Sequence, residues 1–200
     1  MILKTNGERL WDSLMEMATI GPGERGGSRR LALTDADIEG RNLFRKWADE
    51  AGCTFRLDTM GNLFARRNGK NPEAPPVLAG SHLDTQPSGG RFDGILGVLG
   101  GLEVVRSLND HRIETESPVE IVVWTNEEGA RFYPAMMGSG VFSGIFDQSE
   151  IYTHLDLDGF TVEEELRRTK QLGDTPCKSF PIRAYYELHI EQGPILEAEN

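Results

Sequence analysis

The stretch GSHLDTQPSGGRFDG, Gly80 to Gly94, decides how this chain is read. It joins two apolar segments of different kinds. Upstream, Val77 to Leu83 is short, mainly apolar and bounded by turn residues, which suits a buried strand of a parallel sheet. Downstream, GILGVLGGLEVVRSL is apolar almost all round, which predicts a buried helix lying on that sheet. The stretch as a whole holds one His, two Asp and four Gly in fifteen residues. A strand, a loop dense in metal-ligand side chains and a buried helix predict an α/β protein with chemistry at the strand end.

The same pattern recurs outward from this stretch. PVEIVVWTNEE reads as a second buried strand running into Glu127 and Glu128, and AYYELHIEQG as a last strand ending in a charged cluster around His189. TFRLDT and GNLFARRNG alternate as strands about a turn at Met60 and Gly61. GERLWDSLMEMATI has apolar residues at helical spacing, and Thr34 opens a second helix with Asp37 at the capping-box position. Gly52 is a stop signal for that helix. GPGERGGSRR and NPEAPP read as loops. MMGSGVFSGIF reads as a short helix whose Met136–Met137 pair belongs to the core. TVEEELRRTKQLG reads as a solvent-facing helix with paired charges, stopped by Gly173. The expected fold is a three-layer α/β/α sandwich with a mainly parallel sheet.

Composition narrows the function. The net charge is −11, so a nucleic-acid partner is excluded for want of phosphate-neutralising charge, and an anionic membrane surface is disfavoured. Two cysteines, Cys53 and Cys177, form no CxxC pair, and the N-terminus lacks the plan of a secretory leader. No apolar run approaches the roughly 20 residues that span a bilayer. These features predict a cytoplasmic enzyme with free thiols. His111 and His154 sit in polar loop contexts and read as surface histidines.

Ligands of open α/β sheets bind at the carboxyl ends of strands. His82, Asp84, Asp93, Glu127, Glu128, His189 and Glu191 are therefore expected to converge on one rim. Imidazole and carboxylate together suit zinc and related ions. Asp84, two residues from His82, is placed to fix the tautomer of that imidazole. Asp93 can return through the glycine-rich loop and bridge two cations. Glu127 and Glu128 are adjacent and point different ways, so one can ligate while the other stays free as general base.

GSHLDTQPSGGRFDGILGVLGGLE, TNEEGARFYPAMMGSGVFSG and ELHIEQGPILE closely resemble the metal-dependent amidohydrolase branch of the M20 peptidase superfamily. That branch includes N-carbamoyl-L-amino acid hydrolases, beta-ureidopropionases of the yeast type and allantoate amidohydrolases. The resemblance implies a zinc-exopeptidase-like catalytic domain using two divalent ions, with zinc preferred and manganese, cobalt or nickel as alternatives. It implies His82 and His189 as ligands of the first metal, Asp93 as the bridging carboxylate and Glu128 as a ligand of the second. It implies Glu127 as the general base, Asp84 as the carboxylate that orients His82, and Gln192 as a contact to a small-molecule substrate.

The implied reaction is hydrolysis of a non-peptide C–N bond. The substrate would be an N-carbamoyl-L-amino acid or N-carbamoyl-beta-alanine, giving an amino acid, ammonia and carbon dioxide. Allantoate hydrolysis and M20 peptidase or deacylase activity are the alternatives on the same scaffold. Members of the branch are about twice this length. Residues 1–200 then correspond to the N-terminal part of the catalytic domain. A lid and homodimerisation domain would follow, and then a return segment carrying a further histidine for the second metal. The expectation from that difference is a fragment, and a catalytically silent metal-binding half-domain is the competing reading.

Overall fold

Side chains alternate across the strands and sort the core into two halves. Leu63, Ala65, Ile121 and Val123 point to one face of the sheet, where Leu14, Met17, Phe44, Trp47, Val98 and Leu102 pack on them. Phe64, Leu78, Val122 and Trp124 point to the other, against Met137, Val141, Phe142, Val162 and Leu166. The period of two along a strand requires this division once both faces are covered. The computed structural model describes residues 4–199. On the first face lie α1 (Gly7–Met17), α2 (Asp35–Glu50) and α3 (Ile95–Asp110). On the second lie α4 (Met137–Phe142), α5 (Gln148–Ile151) and α6 (Val162–Arg168). The three-layer α/β/α sandwich read from the sequence is the observed architecture.

The sheet contains β1 (Thr54–Leu57), β2 (Leu63–Arg67), β3 (Val77–His82), β4 (Val119–Trp124) and β5 (Ala184–Tyr186), in the order β1-β2-β4-β3-β5. Parallel pairing is confined to β4, β3 and β5, whereas β1–β2 and β2–β4 are antiparallel. The sheet is thus mixed where a mainly parallel one was expected. The reason is local: β1 and β2 are joined by a tight turn, and a short connection can only reverse the chain. The parallel strands are the ones that carry the chemistry-bearing segments.

Two elements are shorter than their sequence pattern. α6 ends at Arg168, and Lys170, with φ 58°, turns the chain before Gly173 is reached. Its Glu165 is buried, not solvent-facing, and accepts hydrogen bonds from Arg131 and Arg168. β5 pairs over three residues only, so His189 lies beyond it. The methionine pair is split: Met137 is buried and Met136 is exposed. Cys53 and Cys177 are buried free thiols. No helix among the described residues is long and apolar enough to cross a membrane.

α2 is tied to the strand end that bears the acidic pair. Thr34 caps it by accepting the Asp37 amide, and the Asp37 carboxylate accepts from the Leu33 amide at 2.8 Å and from Arg41 Nε at 3.2 Å. Arg41 in turn donates to the Gly61 carbonyl at 2.8 Å and to Thr125 Oγ1 at 3.1 Å. Both charged residues are buried. Removing one member strands the other charge away from water, which typically costs about 3–5 kcal/mol. Asp37→Ala is therefore expected to lower unfolding stability by about that amount in urea, while Asp35→Ala on the exposed side of the same turn changes it by less than about 0.5 kcal/mol. Equal effects from the two variants would contradict the role given to the buried pair.

Candidate metal centre

Strand register brings the residues together. β3 and β4 pair in parallel from Val77↔Val119 to His82↔Trp124, so the segments leaving them run side by side. Asp84, Thr85 and Gln86 thereby face Asn126, Glu127 and Glu128. The Asp84 carboxylate accepts the amides of Glu127 and Glu128 at 3.3 and 3.2 Å, and Gln86 Nε2 donates to the Glu128 carboxylate at 2.8 Å. Asn126 adopts φ 51° and turns the chain off the strand. Its side chain donates to the Phe132 carbonyl at 2.8 Å and fixes that turn.

The His82 ring is 1% exposed, and its Nδ1 lies 2.8 Å from the carbonyl oxygen of Asp84. A carbonyl only accepts, so Nδ1 carries the proton and the Nε2 lone pair is free. The carbonyl, not the carboxylate, of Asp84 thus orients this imidazole. The expected Asp84 carboxylate contact is not formed, because the strand ends at His82 and the chain turns, sending that side chain toward Glu127 and Glu128. His189 repeats the device: its Nδ1 lies 2.8 Å from the Ile190 carbonyl, and its Nε2 is 3.3 Å from Asp93 Oδ1. The two rings are 6.1 Å apart.

Asp93 lies just before α3. Its Oδ2 accepts from Gln192 Nε2 at 2.6 Å, and its Oδ1 is buried without any hydrogen-bond donor. One ligand atom each from His82, Asp93 and His189 lie within 4.8 Å of one another. Two free imidazole nitrogens and a carboxylate oxygen lacking a donor form a set that fits a divalent cation of the zinc type. Gly94 makes room for the His82 ring. It has φ 75°, and a Cβ there would sit 2.3 Å from His82 Nε2.

The remaining sequence-predicted residues are distributed around this trio. Glu127 Oε2 is 3.3 Å from His82 Nε2, and its side chain is 28% exposed, open to the rim. Glu128 is not one of the trio, but its Oε1 is also buried without a donor. Glu191 does not join the site: its carboxylate accepts the Leu196 amide at 2.8 Å in α7 (Ile195–Glu199). Gln192 is placed on Asp93 by its amide nitrogen. His111 is exposed, and His154 is turned onto the Tyr133 carbonyl. Neither adds an imidazole to the rim.

Charge and burial oppose each other here. Burial disfavours the charged His82 ring, but the negative charges of Asp84 and Glu127 outweigh it and raise its pKa. Burial pushes the Asp84 carboxyl up to about 6, against the pull of His82. Burial also raises Glu127, again opposed by His82. A carboxylate raised in this way is a stronger proton acceptor than an exposed one.

One supporting residue had no signal in the sequence. Arg30, in the Gly- and Arg-rich loop, is fully buried. Its Nε donates to the Leu83 carbonyl at 3.2 Å, its amide to Thr85 Oγ1 at 2.8 Å, and its carbonyl accepts the Thr85 amide at 2.8 Å. It braces the turn whose Asp84 carbonyl holds His82. Arginine in a loop normally reads as exposed, so only the folded packing reveals this.

Comparison with known proteins fits this geometry. Residues 78–200 match the profile of peptidase family M20/M25/M40. An N-carbamoyl-L-amino-acid amidohydrolase from Rhizobium meliloti is 56% identical over 98% of this chain and 47% of its own length. An N-carbamoyl-L-amino acid amidohydrolase from Geobacillus stearothermophilus is 41% identical over 96% of this chain and 47% of its own. A crystal structure of an amidase of the hydantoinase/carbamoylase family from Burkholderia multivorans superposes with a TM-score of 0.97 and 62% identity, covering 98% of this chain and 48% of that one. The chain spans about half the length of the curated relatives it matches.

Gly94→Ala should push the His82 ring from its place without disturbing the core. Zinc affinity is expected to fall by ~10–100-fold, the range typical of lost ligand support, with the far-ultraviolet circular dichroism unchanged. Unchanged affinity in equilibrium dialysis would refute the close packing of Gly94 against the ligand.

Proposed function

The chain belongs to peptidase family M20/M25/M40, and from that premise we propose that it carries the metal-binding part of an amidohydrolase that cleaves the ureido C–N bond of N-carbamoyl-L-amino acids. The observation that carries the reading is the convergence of His82 Nε2, His189 Nε2 and the donor-less Asp93 Oδ1. The names of the similar amidohydrolases supply the substrate class. N-carbamoyl-beta-alanine, allantoate, peptides and acylated amino acids are the alternatives that a substrate panel separates.

What a divalent ion held by His82, Asp93 and His189 supplies is Lewis acidity, polarising a substrate carbonyl and making water a better acid. The protein groups divide the remaining work. Glu127, buried enough to be a strong base yet open to the rim, takes a proton from the attacking water and returns it to the leaving nitrogen. The amino acid leaves with that proton, and the carbamate left behind divides into ammonia and carbon dioxide. Asp84 holds the Glu127 and Glu128 amides and so aims both carboxylates. His82 and His189, with Nδ1 committed to backbone carbonyls, keep Nε2 available. Gln192 fixes the Asp93 carboxylate at Oδ2 and leaves Oδ1 free. Zinc is the ion that this nitrogen–oxygen set favours.

A second ion is part of the same proposal, and Asp93 and Glu128 are the residues that would hold it. Two carboxylates without an imidazole make a weak zinc site. One tight and one labile ion per chain are therefore expected when the purified chain is titrated with zinc. Two equally tight ions would contradict the assignment. The division of the chain into the first part of a catalytic domain, completed and dimerised by a lid domain, belongs to the proposal as well.

In the protein completed by that lid domain, Glu127→Gln is expected to retain zinc and lose activity on the order of 10²–10⁴-fold, the contribution of a general base. Glu128→Gln is expected to lower metal content at the second position. Ammonia release from N-carbamoyl-L-amino acids, measured beside elemental analysis, tests both. Loss of zinc in Glu127→Gln with zinc kept in Glu128→Gln would reverse the roles.

A further inference from the structure

The parallel ladder between β3 and β5 ends before the ligands it should align. The pairs are Val77↔Ala184, Leu78↔Tyr185 and Ala79↔Tyr186, a constant offset of 107 residues. Carried on, that offset puts His82 opposite His189. Neighbouring strands lie about 4.8 Å apart, which suits two imidazoles sharing one ion. Yet among the described residues no backbone hydrogen bond ties 187–190 to β3. Something else must hold the alignment over the last three residues.

Glu187 supplies it. Its Oε1 accepts from Ser81 Oγ at 2.5 Å, and its Oε2 accepts from Tyr185 Oη at 2.7 Å. Tyr185 Oη in turn accepts from Trp124 Nε1 at 3.0 Å. Ser81 is fully buried and immediately precedes His82. The carboxylate therefore links the segment carrying His189 to β3 one residue from His82, and to β4 at its last residue. Hydrogen bonds to an ionised acceptor are short and strong, and two from different strands restrain both distance and direction. On the other side, Leu188 is seated against α3, where a Cβ on Gly97 would come 2.9 Å from the Leu188 carbonyl oxygen.

We propose that Glu187 is a positioning residue that replaces the missing backbone ladder and sets the spacing of His189 from His82. The proposal rests on the reading of His82, Asp93 and His189 as metal ligands. Glu187 forms no hydrogen bond or ion pair with any of the three. It acts through the Ser81 and Tyr185 hydroxyls, so what it controls is the geometry of the site.

Cobalt(II) titration followed by visible absorption reads this without turnover. The variants are Glu187→Ala, Glu187→Gln, Ser81→Ala and, as the control for the site itself, His189→Ala. Glu187→Ala is expected to weaken cobalt binding about tenfold and to shift the d–d bands, as lost support of a ligand does. Glu187→Gln keeps an acceptor and the side-chain length, and is expected to stay within threefold of the parent. Ser81→Ala, which removes one hydroxyl from a buried strand, is expected to show the same band shift as Glu187→Ala and serves if that variant does not fold. Parent-like affinity and bands in both Glu187→Ala and Ser81→Ala would overturn the proposal, as would a Glu187→Gln variant as impaired as Glu187→Ala. If His189→Ala also leaves cobalt binding unchanged, it is the metal site that fails, and the positioning role falls with it.

Discussion

The register of three parallel strands is the constraint on which the site depends. β4 pairs with β3 at an offset of 42 residues and β3 with β5 at an offset of 107. These two integers place Asp84 beside Glu127 and Glu128, and His82 beside His189. A slip of one residue would turn every side chain of the slipped strand to the other face. Register is protected here because both faces are buried, with Ile121 and Val123 in one half of the core and Val122 and Trp124 in the other. The hydrophobic pattern of β4 thus fixes where Glu127 emerges.

Register brings segments together but does not aim side chains beyond the strand ends. Buried polar groups complete that task. Arg30 braces the turn at Leu83–Thr85, Arg41 joins α2 to Gly61 and Thr125, and Asn126 pins the turn that follows β4. Each satisfies backbone carbonyls or hydroxyls that would otherwise be buried without partners. The two imidazoles are held by main-chain carbonyls, which leave one nitrogen on each ring for an ion. Asp93 Oδ1 and Glu128 Oε1 are left without donors in the same region. Such atoms are costly in a folded protein unless a cation or water meets them.

β3 and β4 were legible in the sequence because each is a short apolar run ending in acids or histidine. The helix after Asp93 was legible for the same reason. β5 was read too long, since only Ala184–Tyr186 of AYYELHIEQG pair. The sheet was misread as mainly parallel because the hairpin around Met60 and Gly61 was recognised without its consequence for the neighbouring strand pairing. Solvent-facing character was assigned to Glu165 from the charge pattern of its helix, and the Arg131 and Arg168 side chains that bury it come from elsewhere in the chain or the next turn. The role of the Asp84 carbonyl was hidden because sequence shows side chains only. Arg30 and Glu187 were hidden because their partners, Leu83, Thr85 and Ser81, lie 53, 55 and 106 residues away. Glu191 was placed at the rim by proximity in sequence, but the left-handed turn at Gln192, φ 60°, redirects the chain there.

The central claim is that His82, Asp93 and His189 form one cation site built by register. X-ray absorption spectroscopy at the zinc edge, on the chain loaded with one equivalent of zinc, tests it most directly. The account predicts two imidazole nitrogens at about 2.0–2.1 Å and carboxylate oxygen at about 2.0–2.2 Å, with the imidazole signal reduced to one ring in His189→Ala. A zinc ion with no imidazole, or with an imidazole count unaffected by loss of His189, would contradict it.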